Sequence, residues 1–169
     1  MGTRKLNRAT DLRMAMLRNQ TTALLWHGRI ETTAMRAKEV QSMAERIITD
    51  AMDVHDKNIM VQKNIQNDRG QTVQAEVRND TPEKLAVRRR IMSTLYPQAE
   101  PKKQGENKDD YRERTKDIKH PLIEKIFGEY GPKYAARAKE SGSRGGYTRI
   151  IKAGPRRGDA AEVVILELI

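Results

Sequence analysis

Residues 145–168 read GGYTRIIKAGPRRGDAAEVVILEL. Two runs rich in β-branched and aliphatic residues, Tyr147–Lys152 and Glu162–Leu168, flank a loop containing Gly154, Pro155 and Gly158. Branched side chains fit a pleated surface and Gly/Pro clusters mark turns, so the stretch predicts two antiparallel strands. The second run, VVILEL, is apolar at nearly every position, which predicts helices covering part of both its faces. Ahead of the first strand, Gly145 and Gly146 permit positive φ and a close approach of backbone to a partner.

Upstream the periodicity is helical. Met14, Leu17, Thr21, Leu24 and Leu25 share one face, with Thr10 or Asp11 as cap and Gly28 just past the end. RIETT (29–33) is short and extended by type, and Thr32 or Thr33 can cap a second helix striped by Val40, Met43, Ala44, Ile47 and Ala51. A further helix begins near Pro121 and is interrupted at Gly131-Pro132 before KYAARAK. The expectation is an α+β fold, helices packed on a small, mainly antiparallel sheet, with one core domain built from 10–53 and 118–169 and a basic arm at 1–9.

Residues 54–117 read as an insertion into that core. Ile59, Val61 and Ile65, then Val73, Ala75 and Val77, alternate about the turn-like NDRG at 67–70, predicting a protruding hairpin over 59–78. Thr81-Pro82-Glu83 starts a helix running to 96, supported by Leu85, Ile91, Met92 and Leu95 and ended by Pro97. Arg88, Arg89 and Arg90 point around that helix, so one of them lies along the protein body. Segment 98–117 has almost no apolar residues, which makes it a mobile charged segment.

The chain has 169 residues, with 33 Lys and Arg against 23 Asp and Glu and a net charge of +10. Such an excess favours polyanionic partners, because each neutralised phosphate releases condensed counterions. Binding to a membrane surface calls for bulky apolar anchors beside the basic residues, and only one Trp and one Phe are present. No apolar run approaches membrane-spanning length and the first residues lack a signal-peptide core, so an intracellular, soluble protein is expected. With no cysteine, disulfides and thiolate metal sites are excluded. At 37% hydrophobic the core is modest, and a large partner is expected to help hold it together.

Catalytic patterns find no support. His27, His55 and His120 are far apart, and no glycine pattern fits a phosphate loop. Glu106, Asp109, Asp110 and Glu113 are interleaved with Lys103, Lys108, Arg112 and Arg114, the pattern of a solvated mixed-charge segment rather than a metal site. Neither catalytic residues, metal, cofactor nor small-molecule substrate is expected.

The basic residues cluster at both ends. Residues 1–30 carry Arg4, Lys5, Arg8, Arg13, Arg18 and Arg29 against Asp11 alone. Residues 137–158 carry Arg137, Lys139, Arg144, Arg149, Lys152, Arg156 and Arg157 against Glu140 alone. Arginine dominates, which suits forked contact with phosphates, and the two clusters together point to RNA. Tyr147 has two readings: a ring stacked on an unpaired base beside Arg149, or a ring in the core with its hydroxyl satisfied. Pro155 stiffens the loop that presents Arg156 and Arg157, while Asp159 caps the turn or orients an arginine.

GTRKLNRATDLRMAMLRNQTTALLWHGRIETTAMRAKEV (2–40) followed by GGYTRIIKAGPRRGDAAEVVILEL closely resembles the L-seventeen family of bacterial large-subunit ribosomal proteins. RKLNR, RIETT, GGYTRI and PRRGD carry the likeness, which covers 3–53 and 118–169. It implies a compact α/β protein bound to large-subunit ribosomal RNA near the nascent-chain tunnel exit, beside other large-subunit proteins, with a structural and assembly role. Carried over by position, Arg4, Lys5 and Arg8 of the arm lie along RNA, as do Arg13 and Arg18 on the first helix and Tyr147, Arg149, Arg156 and Arg157 at the C-terminal hairpin. Arg144 and Lys152 belong to the same C-terminal basic cluster. Two features depart from the family: a shorter basic N-terminal stretch than many members have, and a 54–117 segment longer than in compact members. A free RNA- or DNA-binding regulatory protein is the alternative reading.

Overall fold

The computed structural model describes residues 4–66, 72–116 and 118–169. The expected turn at 67–70, the first three residues of the arm and the last of the charged segment lie outside the described residues. Helix α1 (Thr10–His27) leads through strand β1 (Arg29–Thr33) into helix α2 (Ala34–Met52). Strands β2 (Asn58–Gln66) and β3 (Thr72–Asp80) follow, then helices α3 (Pro82–Thr94) and α4 (Lys108–Thr115). Helix α5 (Pro121–Lys125) runs through a π-helical turn (Ile126–Tyr130) into α6 (Gly131–Ser141), and strands β4 (Thr148–Pro155) and β5 (Glu162–Leu168) end the chain. The fold is α+β.

β5 lies between β1 and β4, antiparallel to both, and β2 pairs only with β3. Val164 and Leu166 of β5 join Leu17, Leu24, Val40 and Ala44 in a cluster between the sheet and helices α1 and α2. The other ends of those helices supply Leu25, Ile48 and Ala51 to a second cluster with Ile91, Ile126 and Tyr134. The helical stripes read from the sequence are thus the buried faces, except that Met14 and Met43 are only half-buried.

The sheet corrects one expectation. Helices cover a single face: Val163 and Ile165 point to the other side, lie outside both clusters and remain half-buried. Their shielding comes from the neighbouring strands, because a central strand is flanked on both edges. Capping differs too. Ala9 rather than Thr10 or Asp11 stands at the N-cap of α1, while Thr33 stands at the expected N-cap of α2 but makes no side-chain capping hydrogen bond. Gly28 takes the left-handed cap with φ 80°, and Thr81 with Pro82 starts α3 as expected, the Thr81 hydroxyl accepting from Lys84 N–H at 3.3 Å.

Gly131-Pro132 does not break the C-terminal helix. Proline has no N–H and its ring presses on the carbonyl four residues back; the π turn immediately before it widens the coil there. Gly131 also lets this helix touch the body, since a Cβ would fall 2.7 Å from His55 Cβ. Helix α4 was not expected in so polar a stretch. Polar contacts organise it: Arg114 Nε donates to Glu106 at 2.7 Å and the Tyr111 hydroxyl to the Glu100 carbonyl at 2.9 Å.

The hairpin stands apart from the core. None of the described side chains of β2 and β3 is buried, and Ile59, Met60 and Val73 are exposed. Its base is polar: the buried ammonium of Lys84 donates to the His55 carbonyl at 2.8 Å and Asn58 at 2.9 Å, and Arg88 Nε reaches Asp80 at 2.6 Å. Arg88 also reaches Glu124 at 2.6 Å and lies over Phe127, so it is the arginine of the triplet held along the body. Ile91 of α3 and Leu95 just past its end, by contrast, are core residues. Replacing 60–78 with a short Gly-Ser link, leaving Asn58 and Asp80 in place, should barely move the melting midpoint followed by circular dichroism. Ile91→Ala should cost about 2–5 kcal/mol, the range for emptying a packed site. A hairpin deletion as damaging as Ile91→Ala would show that the hairpin is part of the core.

Candidate nucleic-acid interface

The arm is shaped before it reaches α1. Leu6 and Asn7 have φ of 51° and 54°, a region costly for side chains with a Cβ. The Arg8 N–H closes a turn on the Lys5 carbonyl at 3.1 Å, and Leu6 packs against the sheet-side cluster. Arg4 pairs with Glu39 of α2 at 2.9 Å. Lys5 and Arg8 are exposed and have no acidic partner among the described residues.

On α1, Arg13 and Arg18 are half-buried and face a groove between α1, α2 and α3, with Arg46 of α2 on its opposite wall. Sequence reading did not single out Arg46 or Arg90 as contacts. For Arg46 the signal was present in helical spacing: Glu39, Ser42, Arg46 and Asp50 recur along one face of α2.

The C-terminal cluster divides into paired and unpaired charges. Arg144 pairs with Asp53, Arg149 with Glu167 at 3.0 Å and Lys152 with Glu162 at 3.1 Å. At the tip of the β4–β5 hairpin, Arg156 Nη2 donates to Asp159 at 2.6 Å, while the Ala161 N–H donates to the same carboxylate at 3.2 Å. Asp159 thus orients an arginine and caps the turn. Arg157, exposed beside it, has no acidic partner among the described residues.

Tyr147 requires a correction. Its ring was carried onto the RNA side, but it is only 2% exposed. It packs against Tyr134 at a centroid distance of 4.8 Å, with its hydroxyl 3.7 Å from Met52 Sδ. The preceding glycines explain why: Gly145 and Gly146 have φ of 118° and 60°, and their carbonyls accept from Arg137 Nη2 at 3.2 and 3.0 Å. That clamp turns the chain so that Tyr147 enters the core just before β4. The double glycine and Arg137 therefore build the fold, and base stacking by this ring is sterically closed.

Of the basic residues read as contacts, Lys5 and Arg8 on the arm, Arg13 and Arg18 on α1 and Arg157 at the hairpin tip have no acidic partner among the described residues, a set suited to a polyanion. Residues 16–169 match the family model described as ribosomal protein L17. The chain is 39% identical to "Large ribosomal subunit protein bL17" of Clostridium botulinum (strain Loch Maree) over 168 residues, covering 99% of this chain and 98% of that one. It is 38% identical to the protein of that name from Lachnospira eligens, over 98% of each chain, and 40% identical to that from Ruminiclostridium cellulolyticum, over 99% of each. The chain belongs to the ribosomal protein L17 family. Such coverage takes in residues 54–117, so the segment read as an insertion falls within the likeness to these relatives. No helix among the described residues is long and apolar enough to cross a membrane.

The tip offers a direct check. Hydrogen bonds from Arg156 and then from the Ala161 N–H hold the Asp159 carboxyl down to about 2, against an ordinary value of 3.8. A lowered folded pKa means that this contact favours the ordered tip above pH 3.8 and is lost as pH falls through about 2. Following the Asp159 carboxyl carbon by NMR should give that low midpoint, and Arg156→Gln should return it toward 3.8. A normal midpoint in the unsubstituted protein would show that the ion pair does not form in solution.

Proposed function

We propose that this chain is a structural constituent of the large ribosomal subunit that binds ribosomal RNA near the nascent-chain tunnel exit and supports subunit assembly, without catalysis. Its near-full-length likeness to proteins named as large-subunit components carries the reading. The tunnel-exit placement rests on the family resemblance. The cationic surface supports RNA as the partner, with neighbouring large-subunit proteins covering other faces and the protein residing on cytoplasmic ribosomes. In this reading the arm (1–9) and the core (10–53 with 118–169) carry the RNA contacts, and 54–117 has none assigned.

The geometry ranks those contacts. Lys5, Arg8 and Arg157 can meet phosphates without giving up a carboxylate. Arg4, Arg144, Arg149, Lys152 and Arg156 must exchange one, so their net gain is smaller. For binding to a large-subunit RNA fragment, Arg157→Gln should lower the slope of log K against log salt by about 0.7–0.9, one full phosphate contact. Arg156→Gln should lower it less. A sucrose gradient in high salt separates the alternatives: an integral component stays with the large subunit, whereas a free regulator leaves it. Loss of the chain from the subunit under those conditions would overturn the proposal.

A further inference from the structure

The groove between α1, α2 and α3 has a volume of about 450 Å³, within the roughly 300–1,000 Å³ typical of small-ligand sites. Five arginines and two carboxylates line it. Both carboxylates are already engaged, Glu39 by Arg4 at 2.9 Å and Asp50 by Arg90 at 3.0 Å. Arg13, Arg18 and Arg46 are left converging on one space with no acidic partner among the described residues. Arg18 goes further: its Nε is sealed from water and donates to nothing. Three guanidinium charges sharing one space repel one another in the free protein, and an anion entering among them relieves that repulsion.

The floor limits what that anion is. Met14 and Leu17 of α1, Met43 and Ile47 of α2 and Ile91 of α3 make it apolar. Phosphate alone needs no such floor, and a paired duplex is too broad to descend into the groove. An unstacked nucleotide has both required parts, a phosphate for the guanidinium forks and a flat apolar base for the floor, where methionine adapts to its shape. We propose that this groove receives one unpaired nucleotide of a bound RNA, its phosphate held by Arg13, Arg18 and Arg46 and its base laid on Met14, Leu17 and Met43. The inference rests on RNA being the partner, and it adds Arg46 to the contacts read from the sequence.

The test uses the full chain and two RNA hairpins that differ only by a single bulged adenosine. The bulged hairpin should bind about tenfold more tightly, the scale of one charge-assisted hydrogen bond. Arg46→Gln, on an exposed position that disturbs no core contact, should erase most of that preference while leaving the circular-dichroism melt unchanged. Methyl resonances of Met14 and Met43 should move when the bulged hairpin is added and stay in place with the paired one. Equal affinity for the two hairpins would overturn the inference. So would equal weakening of both by Arg46→Gln, because the groove would then supply only general charge, or displacement of the bulged hairpin by an acidic peptide that moves the same methyls at lower concentration. A chain that binds neither hairpin yet stays on the large subunit in high salt overturns the nucleotide site and leaves the ribosomal reading standing. A bulge preference that persists in a chain released from the subunit does the reverse.

Discussion

Antiparallel pairing of β5 with β1 joins the last residues of the chain to the link between its first two helices. Ile30 sits opposite Leu166 and Thr32 opposite Val164, and the Leu168 N–H donates to the Gly28 carbonyl at 2.8 Å. Because β1 is only the joint between α1 and α2, fixing its register fixes where both helices lie on the sheet. On the other edge, β4 draws in Tyr147 and, behind it, α6. A slip of one residue would turn Val164 and Leu166 out and Val163 and Ile165 in. With VVIL on the strand, hydrophobicity alone discriminates poorly between those registers. Charged pairs across β4 and β5 do discriminate: Arg149 meets Glu167 at 3.0 Å and Lys152 meets Glu162 at 3.1 Å. Thr148 adds a hydrogen bond to Glu45 of α2 at 2.8 Å.

That role changes how the positive charge is apportioned. A net excess of ten cations says nothing about which ones are available. Arg149 and Lys152 help set a register, Arg137 clamps the double glycine, Arg88 and Lys84 hold the base of the hairpin, and Arg156 shapes a loop. The exposed pairs of Arg149, Lys152 and Arg156 contribute little each to stability, yet they shape the strands and the loop, whereas Lys84 is buried at the hairpin base. Of the residues read as RNA contacts, those left without a carboxylate are Lys5 and Arg8 on the arm, Arg13 and Arg18 in the helical groove, and Arg157 at the hairpin tip. An interface read from composition alone would therefore count too many residues.

Much of the fold was legible because period and punctuation agreed locally. The stripes of α1 and α2, the Thr81-Pro82 start of α3, the protruding hairpin and the β4–β5 pair each follow from side-chain spacing and turn residues. What was not legible depended on distant partners. Tyr147 enters the core because Arg137 takes the carbonyls of Gly145 and Gly146, a contact no local pattern encodes. Single-sided cover of β5 depends on where α1 and α2 land. Helix α4 stands on Glu106–Arg114 and Tyr111–Glu100 contacts, invisible to a reading that weighs only apolar content. Gly131-Pro132 looked like a break because the preceding π turn, which accommodates the proline, has no simple sequence signature. Within the site, Arg13 and Arg18 were legible as basic helix positions, but not that they share a groove with Arg46.

The remaining irregularities have a common thermodynamic meaning. Leu6 and Asn7 hold positive φ, Arg18 keeps an unmet donor out of water, three arginines converge, and the outer face of β5 presents Val163 and Ile165 beside the exposed Ile151. None of these contributes to the stability of the isolated chain, and several oppose it. A partner that binds only the folded form raises its stability in proportion to the logarithm of its concentration over Kd. For a chain with a modest core, such linkage lets the assembled state tolerate local conformations that an independently stable protein would remove. Departures from local rules concentrate where function constrains a structure; here several border the arm and the helical groove, where Arg8, Arg13, Arg18 and Arg46 stand without an acidic partner among the described residues.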